Sequence, residues 1–445
     1  MSKITNNSPV DFSKYSTVFC DSLEALNWAY KNGLTKKAVI KASSPAMLCR
    51  ENPNIHPVEK RWSIDEVAKF QSTIKELSKN VFDISINSYG VERIHAIVAA
   101  KAAVTFQRIL YKVACLEEED FHGRRLFIRV DGETGPSGNM MNSIWDKLLS
   151  SNPLFLTTDY TLQDDRWDVL TTKGVHYWKR FKIAGYETII YRLAVKLMKR
   201  LPNWMFKKEI LMLGENELNI EAASSLALRG VKISKVQLKS LPSSKGVTLD
   251  ENIEALCKMI LPIMHRRVEQ WVAPSAVEIT MSLFQSHLEK KFKQFEVLVS
   301  EWEKVITKND RMRQAVLINA PGNLNGQSLS YVCNKKNIPL IASQHGVTIE
   351  ISKAHSMLHI RFDNTVVDAM LSYNHKYIEK TKSTYFNNSK HYCVGMPLRL
   401  MRMKHTQITG KVEFPIVYIS TNLYQNGFTI SQKTDYDKFV AENPN

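Results

Sequence analysis

Short apolar runs alternate with amphipathic stretches along most of the chain. Strand-like runs at 16–22 and 37–43 enclose a helix-like stretch at 23–34. A capping box, Ser63–Glu66, opens a helix that should end near Lys79. A strand-like run at 81–88, a long helical stretch at 92–115 and another strand-like run at 125–130 follow. Strands and helices in alternation predict a parallel sheet covered by helices.

The clearest such unit begins at Lys208. A short apolar strand over 209–213 leads through a tight turn at 214–216 into a helix over 218–229, which Gly230 stops. A second strand is predicted over 231–236. Together these elements form one complete βαβ unit.

The alternation continues to the last residues. After a helix of roughly 30 residues that begins near Pro274, strands are predicted to end at Asn319 and Ser343, and two more lie within 366–374 and 390–400. A new strand begins after Glu413, so the sequence appears cut short in a further domain. The predicted organisation is an N-terminal α/β domain (1–170), a basic amphipathic helical connector (171–207), a Rossmann-like domain (208–405) and an incomplete domain (413–445).

Composition narrows the choice of partners. The chain has 60 Lys and Arg against 44 Asp and Glu, a formal net charge of +16, which favours anionic partners. It lacks an apolar run long enough to span a bilayer and the apolar core of a signal peptide, so we expect a cytoplasmic protein. The six cysteines have no metal-binding spacing, and no nucleic-acid-binding module is recognisable. We therefore predict no metal site and no nucleic-acid partner.

A basic helix is predicted within the connector. Arg192, Lys196, Lys199 and Arg200 share one helical face, and Ile189, Leu193 and Leu197 share another. Residues 189–200 could therefore rest on an anionic membrane surface, with Trp178, Trp204 and Phe206 near the helix ends. The alternative is an ordinary amphipathic helix that packs on a sheet.

Polar loops follow several predicted strands, and ligands bind at the carboxyl ends of strands in open parallel sheets. His345 could exchange a proton with a hydroxyl group or hold a phosphate, or it could simply hydrogen-bond its own turn. Glu217 could merely favour a helix dipole. The loop residues in question are Glu215, Asn216 and Glu217, Asn319 and Asn323, and Gln344, His345 and Gly346.

The order of GENELNIEAASSLALRGVKI, LINAPG, IPLIASQHGVTIE, VVDAMLSYN and CVGMPLRL resembles bacterial surface-polysaccharide glycosyltransferases of GT-B fold. The resemblance covers Lys208 to about Asn426. The resemblance implies an α/β, GT-B-like arrangement with an extra N-terminal α/β region and a truncated C-terminal domain. It also implies that His345 and Glu215 are catalytic and that a nucleotide-activated sugar, such as a sugar acid carried on CMP, is the donor. Asn216, Glu217, Asn319, Asn323, Gln344 and Gly346 would bind substrate, and Thr421, Asn422 and Tyr424 would bind the donor.

The expected function is therefore sugar transfer to a growing capsule or lipopolysaccharide glycan, or to its glycolipid acceptor, at the inner face of the cytoplasmic membrane. The nucleotide sugar is a co-substrate, and no cofactor is expected. Two alternatives stay open. A hydrolysing sugar-nucleotide epimerase has a similar scaffold, and a non-catalytic glycan-binding or scaffold protein would need no donor.

Overall fold

The structure is a computed structural model of the 445-residue chain. It describes residues 10–20, 23–42, 47, 52–57, 62–121, 125–131, 156–161, 177–238, 244, 246–307, 313–344, 346, 350, 362–382 and 386–405. Within these residues, eleven strands form two sheets, and all neighbouring strands are parallel. This confirms the predicted α/β class with Rossmann-like parallel sheets.

The first sheet has five strands in the order β3-β2-β1-β4-β5. The chain adds β2 and β3 on one side of β1 and then β4 and β5 on the other, which is the strand order of a doubly wound sheet. The strands are β1 (Thr17–Cys20), β2 (Ile40–Ala42), β3 (Ile55–Pro57), β4 (Arg125–Asp131) and β5 (Leu156–Thr161).

The second sheet has six strands in the order β11-β10-β9-β8-β6-β7. The pairing of β6 with β7 confirms the βαβ unit predicted after Lys208. The strands are β6 (Glu209–Leu213), β7 (Lys232–Lys235), β8 (Arg313–Asn319), β9 (Leu340–Ser343), β10 (Ala369–Ser372) and β11 (Lys390–Cys393).

The helices connect and cover these strands. They are α1 (Leu23–Lys31), α2 (Ile64–Ile86), α3 (Arg93–Ala114), α4 (Tyr177–Met198), α5 (Glu217–Leu228), α6 (Glu251–Glu269), α7 (Val277–Thr307), α8 (Leu324–Lys335), α9 (His375–Lys382) and α10 (Leu398–His405).

The largest hydrophobic core joins helices from both halves of the chain. Helix α2 packs on α3 and α6, and α7 packs on α3, α6 and α8. This core also contains Phe19 of the first sheet and Val316 and Ile318 of the second. Helices α2, α3, α6, α7 and α8 therefore form an apolar layer that contacts both sheets. Residues on both sides of the predicted boundary at 207 share this core, while the domain boundaries themselves stay a prediction.

The opposite faces of the two sheets have smaller cores. Val18, Cys20 and Ile40 pack with Leu26 of α1 on the first sheet. Residues of α4 and α5, including Tyr191 and Ala223, cover the second sheet and contact Met212. Full burial of a large apolar side chain stabilises a fold by roughly 1.5–3 kcal/mol. Each sheet is thus held from both sides by its own buried contacts.

The predicted strand at 81–88 is wrong. The capping box is present, with the side chain of Ser63 accepting from the Glu66 N–H, but the helix it opens continues to Ile86 instead of ending near Lys79. Val81 and Phe82 are buried in the shared core. The apolar run at this point is the core-facing side of a helix and not a strand.

Helix α4 packs on the second sheet, as in the second alternative, but through a face other than that of Leu193 and Leu197. Tyr191 and Ala194 are buried in its contact with the sheet, whereas Leu193 and Leu197 are 52% and 56% exposed. The helix is also interrupted at Gly185, whose φ of 71° favours glycine. The connector is helical as predicted, but its leucines are left on the surface.

Within the part of the chain that the structure describes, no helix is both long enough and apolar enough to cross a bilayer.

Candidate functional site

The second sheet changes its direction of strand addition between β6 and β8. The chain places β7 on one side of β6, and then β8 to β11 on the other. In open α/β sheets, ligands bind in the crevice outside the carboxyl ends of the strands at such a switch point. Gly214 follows β6 with a φ of 84°, and a Cβ there would lie 3.0 Å from Asn319 Cβ, at the end of β8. The two loops therefore meet closely at this point.

The side chain of Asn216 hydrogen-bonds to the elements that meet at the switch point. Its side-chain oxygen caps α5 by accepting from the Asn219 N–H at 2.8 Å, and its amide nitrogen donates to Asn319 Oδ1 at 3.3 Å. Its side chain also approaches the carbonyl of Ser343, at the end of β9, at 3.5 Å. Asn216 is only 8% exposed. Its amide therefore ties the ends of β8 and β9 to the start of α5.

A serine and an asparagine that the sequence did not single out complete this network. Ser343 Oγ donates to Asn219 Oδ1 at 2.6 Å, and both residues are fully buried. Buried polar groups require such partners because an unsatisfied group costs about 1–3 kcal/mol. The network fixes α5 against the end of β9.

Gln344 bridges the ends of β9 and β10. Its side-chain oxygen accepts from the Tyr373 N–H at 2.8 Å, and its nitrogen donates to the Gly346 carbonyl at 2.7 Å and to Glu350 Oε1 at 2.6 Å. Gln344 is 1% exposed, while Gly346 is exposed. The amide thus has protein partners for both its oxygen and its nitrogen.

Asn323 and Glu217 lie at the starts of two helices. Asn323 caps α8 by accepting from the Gly326 N–H at 2.9 Å, and its side chain is exposed. Glu217, in the first turn of α5, forms an ion pair with Arg399 of α10. The Leu398 N–H donates to Glu221 Oε1 at 2.6 Å. Helix α10 is therefore fastened to α5 beside the switch point.

Glu215 is the predicted catalytic carboxylate, and it has two donors. Lys235 Nζ lies 2.6 Å from its Oε1, and Tyr191 Oη donates to the same oxygen at 3.0 Å. Partial burial raises the pKa of Glu215, but the hydrogen bonds from Lys235 and Tyr191 outweigh it and hold the pKa below its usual value. Glu215 is thus an ionised carboxylate and a weak base.

A basic groove lies beside Glu215, between α4 and the ends of β6 and β7. It has a volume of about 700 Å³, and its lining includes Tyr191, Glu215 and Lys235. It also includes four cations that we call the cations of α4: Arg192 and Lys196 within the helix, and Lys199 and Arg200 directly after its last residue. Burial, together with the hydrogen bond to Glu215, raises the pKa of Tyr191, so its hydroxyl stays a donor. The groove is strongly positive and open to solvent.

No protein-family model, curated protein or solved structure matches this chain.

Of the predicted site residues, Asn216 and Asn319 are joined by a hydrogen bond beside Ser343, and Gln344, the next residue after Ser343, makes a separate set of hydrogen bonds at the end of the sheet. Glu215 faces the groove. His345, Thr421, Asn422 and Tyr424 lie outside the described residues, so their predicted roles stay predictions. Among the residues that are described, no group of three or more His, Cys, Asp or Glu side chains could hold a metal ion.

Proposed function

We propose that the chain is a glycosyltransferase of bacterial surface-glycan assembly. It would transfer a sugar from a nucleotide-activated donor to a capsule or lipopolysaccharide glycan. The observation that supports this most is the switch point of the second sheet, where α5 and α8 begin and where Glu215, two residues before α5, lines a positive groove. Helix N-termini and fixed cations stabilise the charge that develops on a departing phosphate.

The chemistry requires a base for the acceptor hydroxyl. Glu215 is poorly suited because its pKa is lowered and its oxygen already accepts two hydrogen bonds. An imidazole titrates near neutral pH and is a better general base. In this proposal His345 therefore removes the proton, and Glu215 stays in its ion pair with Lys235.

The proposal places the enzyme at the inner face of the cytoplasmic membrane. Leu193 and Leu197 are exposed beside the four cations of α4, and Trp204, just after the helix, is 84% exposed. A surface with exposed apolar residues and a row of cations suits an anionic membrane, with the lysine and arginine stems alongside the headgroups. Residues 189–200 would make this contact and bring a glycolipid acceptor close to the switch point.

The test is sugar transfer by the full protein with a panel of nucleotide sugars, including CMP-linked sugar acids, and membranes that carry the acceptor. We expect labelled sugar in the glycolipid fraction, and we expect His345→Ala to reduce it by at least about 100-fold, as for loss of a general base. His375→Ala, at the exposed start of α9, is the matched control.

Two outcomes would refute the proposal. Release of free sugar and free nucleotide without an acceptor would indicate a hydrolysing epimerase. Absence of donor binding in calorimetry would indicate a non-catalytic glycan-binding or scaffold protein. A His345→Ala variant that unfolds would instead show that this histidine is structural, so the melting temperature is measured alongside.

The membrane contact has its own test. Replacing Arg192, Lys196, Lys199 and Arg200 with Gln should weaken co-sedimentation with vesicles that contain phosphatidylglycerol, because each cation near such a surface contributes about 1 kcal/mol. Unchanged sedimentation would exclude this helix as the anchor.

A further inference from the structure

The groove beside α4 has more positive charge than its own carboxylate can balance. Its lining has five cations and one carboxylate, Glu215, and that carboxylate is already paired with Lys235. Among the described residues, none of the four helix cations lies within 4.0 Å of an acidic side chain. Like charges four residues apart destabilise a helix. Arg192 and Lys196 have this spacing, and Lys199 and Arg200 follow directly after the helix, so an anion in the groove would relieve the repulsion among these cations.

The groove also has the shape of a ligand site. Small-molecule pockets commonly have volumes of about 300–1,000 Å³, and this groove, at about 700 Å³, lies within that range. It lies between a helix and the carboxyl ends of β6 and β7, so its cations approach from two sides. Two of them are arginines, whose forked guanidinium groups bind phosphoryl oxygens through paired hydrogen bonds.

We propose that this groove is a phosphoryl-binding site, in which Lys235 and the cations of α4 hold one or two phosphoryl groups. The phosphoryl group can belong to a soluble diphosphate or to a lipid headgroup. Glu215 competes with the ligand for Lys235 because its carboxylate lies 2.6 Å from the ammonium group. Binding therefore weakens the Glu215 ion pair and places the phosphate where Glu215 now accepts. The inference deepens the proposed function, which uses the same groove and on which it rests for the role of the phosphate, although pyrophosphate binding itself requires no glycosyl transfer.

The ion pair gives a test in which two variants move in opposite directions. Inorganic pyrophosphate binding to the full protein is measured by calorimetry at low salt. Lys235→Gln should weaken binding by about tenfold, the value of one charge-assisted hydrogen bond. Glu215→Gln removes the only negative charge of the lining and should tighten binding by about threefold to tenfold. Lys258→Gln, at an exposed lysine of α6, is the control and should change nothing.

The two variants should behave differently if the Glu215–Lys235 ion pair only stabilises the fold. In that case both variants would lower the melting temperature and neither would change pyrophosphate binding, which would overturn the proposal. Weaker binding in Glu215→Gln would also overturn it, because that result would mean that Glu215 holds Lys235 in place for the ligand and does not compete with it.

Vesicles with phosphatidylglycerol distinguish the two sources of phosphate. For a headgroup site, pyrophosphate should displace the protein from vesicles, and Lys235→Gln should weaken vesicle binding. For a soluble diphosphate, Lys235→Gln should weaken pyrophosphate binding alone, while Leu193→Ser weakens vesicle binding alone. If neither pyrophosphate nor vesicles bind, or if Lys235→Gln affects neither, the site does not exist. Pyrophosphate binding with no sugar transfer would refute only the glycosyltransferase proposal.

Discussion

Gln344→Ala should destabilise the protein strongly, although the residue lies in a loop. Its side chain makes three hydrogen bonds, to the Tyr373 N–H, the Gly346 carbonyl and Glu350 Oε1, at 2.6–2.8 Å. The substitution deletes all three and leaves the Tyr373 N–H buried without this acceptor. A neutral hydrogen bond contributes about 0.5–1.5 kcal/mol and one to a charged group about 1.5–3 kcal/mol. The expected loss is therefore about 4 kcal/mol.

The assay is equilibrium unfolding in urea, followed by tryptophan fluorescence. Gln285→Ala is the matched control because Gln285 also donates to a glutamate, Glu289 at 2.9 Å, but on the exposed surface of α7. An exposed substitution of this kind should cost less than about 0.5 kcal/mol. If both variants unfold at the same urea concentration, Gln344 does not bridge β9 and β10, and its amide is available to a ligand.

A third variant separates the lost hydrogen bonds from the lost volume. Gln344→Glu keeps the size of the side chain and an acceptor for the Tyr373 N–H. When ionised it cannot donate to the Gly346 carbonyl, and it repels Glu350. Burial disfavours the charged form, so the variant should be more stable at pH 5 than at pH 8. A pH-independent loss would mean that the donor hydrogen bonds contribute little.

Three further predictions concern stability and reactivity. Arg267 is 5% exposed and donates to the Phe70 carbonyl at 2.7 Å. Arg267→Ala should therefore lower the free energy of unfolding, measured in urea, by about 3 kcal/mol. Among the five cysteines that the structure describes, maleimide should label the exposed Cys393 first, as checked by peptide mapping, because the other four are buried, and burial raises the pKa of the Cys257 thiol to about 12. Burial raises the pKa of Glu187, but its hydrogen bond with Arg402 outweighs this and lowers it. The contribution of this pair to the free energy of unfolding is therefore fully present above the pKa that Glu187 has in the unfolded chain, and it is lost as the pH falls. Glu187→Gln should make the free energy of unfolding less dependent on pH in the acid range.

Local sequence patterns are sufficient to predict most strands of the second sheet. The run over Glu209–Leu213 is short and apolar and is followed by a glycine turn, so it favours a buried strand over a helix. The pattern is misleading at 81–88, where an apolar run predicts a strand but belongs to a helix. The buried positions there are Ser78, Val81, Phe82 and Ser85. Their spacing of three and four residues has the period of a helix, and no glycine or proline interrupts it before Gly90.

Side-chain size decides which face of α4 is buried, and the pattern of hydrophobic positions alone does not predict that face. The sequence pattern places Leu193 and Leu197 on an apolar face, which could lie on a membrane surface or pack on a sheet. In the structure, Ala194 belongs to the same buried cluster as Ala223 and Ala227 of α5, and α5 packs on α4, where small side chains let the two helices approach. The larger leucines remain outside that contact. Which of two apolar faces is buried was therefore decided by a partner helix distant in sequence.

The site residues could be located from sequence, but their partners could not. Asn216 and Gln344 were identified because they follow strands at the carboxyl end of a parallel sheet. Their hydrogen bonds lead to Asn319, Ser343 and Tyr373, up to 127 residues away, and depend on the strand order. The cations of α4 were likewise visible from helical spacing, whereas their approach to Lys235 follows from the packing of α4 on β7.

The buried amides and the exposed cations at this end of the sheet have different consequences for binding. Asn216 and Gln344 donate to and accept from the protein itself, so a ligand would have to break those bonds and meet the cost of unsatisfied buried groups. Lys235 and the cations of α4 are accessible, and a ligand needs only to displace water and one carboxylate. We therefore expect anion affinity to depend on the groove residues. The amides should affect binding only through the rigidity that they give to the strand ends.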